Sequence, residues 1–235
     1  MEKIRVILID RLDLRFEARP WDWADRNRAA IDAHFAKARE RQRLLWNGRV
    51  LLLHRYAIED GLFRGTYFET DFASFLAWRD FGFPDASTAN CFAMAALRSA
   101  DGAYLFGRMG AHTANAGKIY FPSGTPDPSD LRDGLVDLEG SVVRELAEET
   151  GLGSGDVTFS QHWHVVIDGT RIAMMRPSVS RCQAEQLKSQ IRVHLQQQRN
   201  PELSDIIVVR SSSDVRPEMP GFVRAYLEYV WSSVS

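Results

Sequence analysis

Apolar positions along this chain change period several times, and each change marks an element. Residues 3–9 carry Ile4, Val6, Ile7, Leu8 and Ile9 and predict a strand, with a second extended stretch over 12–18. Pro20 opens a segment rich in Ala, Arg and acids that predicts a long helix from Trp21 to Arg43. The Asn47-Gly48 turn leads into the apolar run Val50 to Leu53, and Phe63 to Phe68 form a further extended stretch. Gly61 and Gly65 punctuate this hairpin-like unit. Asp71 is placed to cap a helix over Phe72 to Asp80, which Gly82 and Pro84 end.

From Cys91 the pattern changes. Phe92 to Leu97 and Ala103 to Gly107 read as strands around an Asp101-Gly102 turn. Val142 with Leu146, and Val143 with Ala147, form apolar rows at helical spacing, and Gly151 stops that helix as a left-handed cap would. Strands follow at Thr158 to Ile167 and Ile172 to Met175 about the Asp168-Gly169 turn. A helix over Gln183 to Gln198, a buried-type strand over Ile206 to Val209 and an amphipathic helix over Pro220 to Trp231 complete the pattern. The order predicts a small α+β N-terminal domain over residues 1–86, joined by the polar segment Asp85 to Asn90 to a second domain over 87–235.

Composition narrows the function classes. The 235 residues, 45% of them hydrophobic, can bury a sizeable core. With 29 basic against 31 acidic residues and a net charge of −2, no global basic field draws the chain to nucleic acid or a membrane. Cys91 and Cys182 have no paired spacing, which argues against a disulfide framework or structural zinc and predicts a reducing cytoplasm. The run Ile4 to Ile9 is short and interrupted by Arg5, so it reads as a strand rather than a signal peptide.

The chemistry concentrates in one helix. Residues 144–152 read Arg-Glu-Leu-Ala-Glu-Glu-Thr-Gly-Leu, which sets Glu145 beside both Glu148 and Glu149, so that one face of the helix is apolar and another acidic. Such a bundle of hard oxygen donors suits Mg²⁺ or Mn²⁺ shared with substrate phosphates, and diphosphate chemistry is its natural use.

Arg144-Glu145-Leu146, Glu148-Glu149 and Gly151-Leu152 resemble the second half of the Nudix box, and residues from about 90 to 235 are covered by the likeness. The resemblance implies an α/β class, with a Nudix-type α/β/α sandwich on a mixed sheet. It also implies that Glu145, Glu148 and Glu149 coordinate metal while Arg144 positions a glutamate of the same helix. Glu202, with Asp205 as a rival, sits where the family often adds a further metal-binding acid; an exposed loop acid is an equal reading. Gly117-Lys118-Ile119-Tyr120-Phe121-Pro122-Ser123-Gly124 is similar to the loop before the box, with Ser123 in place of a glycine.

The upstream half departs from the pattern. The box glutamate falls on Val136 and its glycine on Asp130, within an expanded loop from Thr125 to Gly134. Asp137 or Glu139 could replace the missing acid; capping fits Asp137 better, and an exposed first turn fits Glu139. The run Gly117 to Asp130 also partly resembles the signature of coenzyme A diphosphatases.

His162 and His164 would share a strand face, but without a third ligand they read as partly buried strand histidines. Trp78, Phe81, Phe83 and Trp163 could stack on a base, and Arg98, Arg108, Lys118 and Arg171 could meet phosphates. Core packing and solvated charge are the commoner fates of each. The expectation is a hydrolase of a small-molecule diphosphate linked to another moiety, of the nucleoside diphosphate-X type, possessing a dimer interface or substrate entrance in its N-terminal part. The rival is a ligand-binding or regulatory module of the same fold that has lost turnover, motivated by Val136.

Overall fold

A computed structural model describes residues 3–43 and 45–233. In chain order the elements begin β1 (Arg5–Ile9), β2 (Arg11–Phe16), α1 (Asp22–Arg26), α2 (Arg28–Arg41), β3 (Arg49–Glu59), β4 (Leu62–Asp71) and α3 (Phe72–Asp80). They continue with β5 (Asn90–Arg98), β6 (Tyr104–Met109), β7 (Ile119–Tyr120), β8 (Ser123–Gly124), β9 (Leu131–Arg132), β10 (Leu135–Val136) and α4 (Leu138–Thr150). The last are β11 (Val157–Phe159), β12 (Trp163–Asp168), β13 (Arg171–Ser180), α5 (Ala184–Gln197), β14 (Leu203–Val209) and α6 (Gly221–Ser232).

Among the described residues these strands form two mixed sheets. The larger runs β1-β12-β13-β5-β6-β14, with β11, β7 and β8 attached to its side, and the smaller runs β3-β4-β2-β10-β9. β5 lies parallel to β13 and is buried along nearly its whole length, as a strand covered on both faces should be. Consecutive residues of β12 show which helices cover which face. On the Trp163 side Arg176 stacks on that ring at 5.2 Å and reaches Glu139 of α4 at 3.0 Å. On the other side His164 meets Tyr226 and Tyr229 of α6, each at 5.5 Å. The large sheet is therefore the middle of an α/β/α sandwich, as the sequence predicts.

The small sheet separates two cores. Leu51 and Leu53 of β3 join the large core, while Val50 and Leu52 face a second one with Trp21, Ile31, Phe35, Phe68, Phe75 and Trp78. Burying each such large side chain contributes about 1.5–3 kcal/mol. Both sheets draw strands from either side of residue 86. β1 pairs with β12 in the large sheet, and β10 pairs with β2 in the small one. Only Asp10 separates β1 from β2, and Gly61 O accepts from its N–H and from that of Arg11.

Two predicted elements are broken. The helix expected over 21–43 is interrupted at Asn27, whose backbone N–H and side-chain Nδ2 both donate to Trp23 O and close the first helix early. Its predicted end also runs past Arg41. The strand expected over 158–167 stops after Phe159 and restarts at Trp163, because the opposing Pro177 has no N–H to continue the ladder and its carbonyl instead takes the Ser160 N–H. The predicted cap holds: Asp71 accepts from Ser74 N at 3.0 Å at the start of α3.

Candidate functional site

The acidic helix α4 is built as its pattern demands. Asp137 caps it by accepting from Gly140 N at 2.8 Å, Val142 and Leu146 are buried, and Gly151 ends it at φ 72°. Glu139 is exposed and pairs with Arg176. Neither Asp137 nor Glu139 replaces the missing upstream acid.

The acid of the loop before α4 that meets Arg144 is Asp130, which the sequence reading set only at the box glycine. It is 2% exposed, binds Arg144 Nη1 at 2.5 Å, and accepts from Asp127 N at 3.0 Å. Asp127 and Asp130 form a reciprocal capping box around the single turn Pro128–Asp130, which fixes the carboxylate in place. The same Arg144 donates to Glu145 Oε1 at 2.9 Å, and the Asp130 pairing raises the guanidinium pKa. The D-P-S-D spacing was the available signal.

The three glutamates have different surroundings. Glu148 is 64% exposed, 3.9 Å from Arg144. Glu145 is 17% exposed; burial raises its pKa, and the hydrogen bond from Arg144 opposes that rise. Glu149 is 4% exposed, and burial pushes its pKa well above the ordinary range, with the charges of Glu145 and Glu202 adding to the effect. Among the described residues its Oε1 receives only a 3.4 Å bond from Ser123 N, and its Oε2 is buried with no partner.

The preceding loop is placed by a split in the large sheet. β5 and β6 meet only at Arg98 and Tyr104; beyond that they diverge, and β7 pairs with β6 while β8 pairs with β5. This brings Ser123 to Glu149 and Gly124 to Glu145. A Cβ on Gly124 would overlap the Glu145 carboxylate, so glycine is needed there for close approach rather than for an unusual φ. Ser123 in the other glycine position costs nothing in this geometry, because its φ is not positive either.

A cleft of about 670 Å³ opens beside Ser123 and Gly124, between α3 and the large sheet. Aromatic rings from Phe72, Phe75, Phe83, Phe92, Tyr120 and Phe222 line it, together with Arg79, Lys118 and Arg171, and no carboxylate does so among the described residues. The glutamates themselves lie behind its Ser123–Gly124 edge. Sequence reasoning named Phe83, Lys118 and Arg171 as possible ligand contacts, and the fold brings these three together. Trp78 and Trp163 are buried in the core, Phe81 is exposed, and Arg98 and Arg108 lie outside the cleft.

The remaining candidates separate clearly. Glu202 is exposed, yet its charge acts on both Glu145 and Glu149, whereas Asp205 is engaged by Arg192 at 2.8 Å. His162 lies outside the strand and pairs with Asp10 at 2.7 Å, and the pKa of half-buried His164 is lowered by burial. The two histidines do not converge on a ligand.

Hard carboxylate oxygens, one of them orphaned and buried, fit a small divalent cation in donor chemistry. Among the described residues, however, no three His, Cys, Asp or Glu side chains are gathered closely enough to hold one, since Glu148 stays in solvent. The predicted set of Glu145, Glu148, Glu149 and Glu202 is thus only partly assembled.

No family model matches the chain, and no curated protein matches it. Among solved structures, a Nudix hydrolase from M. smegmatis, RenU, is similar at a TM-score of 0.39 and 15% identity, over 62% of this chain and 86% of that one. That likeness carries no residue roles across.

Proposed function

We propose that this chain is a metal-dependent hydrolase of the Nudix kind, cleaving a diphosphate linked to a second moiety with Mg²⁺ or Mn²⁺ at α4. The observation that carries this reading is Glu149, a buried carboxyl with an unpartnered Oε2 beside the Glu145 carboxyl. Desolvation and like charge disfavour its ionised form, and a cation is the partner that reverses both.

Glu145 and Glu149 would hold the metal, joined by Glu148 after it turns from solvent, with Glu202 completing the acidic surroundings. A bound divalent ion supplies neutralisation of phosphate oxygens and a water of lowered pKa. The protein's own groups do the rest. Arg144, braced by Asp130, orients Glu145. One of these glutamates, or Glu202, would accept the proton of the attacking water. Arg79, Lys118 and Arg171 place positive charge along the cleft for the phosphates and the group they carry.

The test measures phosphate or monophosphate release from nucleoside diphosphate sugars, dinucleotides, coenzyme A and nucleotides, with and without Mg²⁺. A Glu145→Gln, Glu149→Gln double variant is expected to lose at least about 100-fold in kcat/KM. Unchanged turnover in that variant would overturn the assignment. The dispersed carboxylates favour one other reading, a binding module without turnover, for which the same panel yields binding and no metal-dependent release.

A further inference from the structure

The far wall of the cleft bears on what the second moiety is. Asn90 and Arg171 are direct partners across the parallel β5–β13 register, so their side chains leave the same face of the sheet. Both line the cleft. Asn90 Oδ1, an acceptor, and Arg171 Nε, a donor, are each buried with no hydrogen-bond partner among the described residues. Interiors rarely leave such groups unpaired, and two of opposite sense on neighbouring residues in one cleft call for a common explanation.

Their surroundings are those of a planar ring. Phe92 follows Asn90 on the same face of β5 and packs edge-on against Phe222 at 5.5 Å. Arg171 is held from its far end: Nη2 donates to Asp168 at 2.7 Å, and the guanidinium lies 5.8 Å from the centre of the Phe83 ring. Phe83 itself holds φ at 61°, a left-handed backbone that a bulky side chain adopts only under constraint, between Gly82 at 84° and Pro84.

We propose that Asn90 and Arg171 form a two-point reader for the edge of a nucleobase-like ring that carries an N–H next to an acceptor, with Phe83 as the side chain that moves to admit it. Asn90 Oδ1 takes the ring's N–H, Arg171 Nε donates to the adjacent acceptor, and the aromatic walls hold the ring's faces. Because both atoms are closed off from solvent, entry of the ring requires a displacement, and Phe83 packs beside the Arg171 guanidinium. The inference rests on the hydrolase reading for the diphosphate that such a ring would carry.

Calorimetric titration of the full chain, without divalent metal, tests the reader through matched pairs. Uridine 5′-monophosphate is compared with its 3-methyl derivative for a lactam edge, and adenosine 5′-monophosphate with its N6,N6-dimethyl derivative for an amidine edge. In at least one pair the parent is expected to bind about tenfold tighter or more than its methylated partner. Asn90→Leu and Arg171→Lys should each bring that ratio close to one while keeping a cooperative melt. Equal binding within both pairs, absence of nucleotide binding, or a preference retained in both variants overturns the proposal. The titrations read binding alone, so a chain that discriminates but does not hydrolyse overturns the glutamate assignment and leaves this one standing.

Discussion

Asp130 and Glu149 are both almost wholly buried, one in the turn before α4 and the other in that helix's last turn, and the fold treats them in opposite ways. Asp130 receives Arg144 and a backbone N–H, so its charge is compensated on the spot. Glu149 receives one long bond from Ser123, has an oxygen with no partner, and stands among other acids. A compensated buried carboxylate holds a structure together. An uncompensated one weakens the structure by itself, and such a group is a candidate for a partner that arrives from outside.

Removing the compensated acid should have the largest effect on stability. Asp130→Ala strips Arg144 of its main partner and leaves Asp127 N–H unbonded, at an expected loss of about 3 kcal/mol in denaturant unfolding. A loss within 0.5 kcal/mol would mean that the turn is not a brace.

Gly124→Ala comes next, because the added methyl must displace the Glu145 carboxylate from its seat. Overpacking of this kind costs about 1–3 kcal/mol. It should also lower turnover more than Ser123→Ala does, since Ser123 contributes only its backbone N–H to Glu149. Equal effects of the two variants on turnover would count against Glu145 as the group that needs the space.

The smallest effect has the opposite sign. Glu149→Gln should raise the metal-free unfolding free energy at neutral pH, by about 1 kcal/mol. A carboxyl whose folded pKa is raised binds more protons in the folded state than in the unfolded one. It therefore costs stability as pH climbs from the ordinary glutamate range toward the raised value. The variant's advantage should vanish below pH 4 and grow above 5, and added Mg²⁺ should stabilise the parent more than the variant. Melts in which the variant is no more stable at any pH would remove the contrast between the two acids.

How much of this was legible depended on range. The Asp71 cap, the apolar rows of α4 and the Gly151 stop are local signals, read within one or two turns, and the structure reproduces them. Glu145, Glu148 and Glu149 are equally local, yet their differing burial is not, because it is set by β8 lodging against β5. Asp130 was missed because its partner stands 14 residues away and its own turn is too short to leave a periodic trace. The cleft was invisible as a unit, since it joins α3 to β5 and α6. The exchange of strands between the sheets was also hidden: a hydrophobic run announces a strand without naming the sheet it enters.

That exchange has a consequence for how the molecule is made. β1 leaves the ribosome long before β12, its sheet neighbour among the described residues, with Arg5 set against Ile167. Until that distant strand has been synthesised, the apolar segment has nowhere to go and is a template for the wrong partner. Arg5, the charge that interrupts the run, is well placed to guard it during that wait.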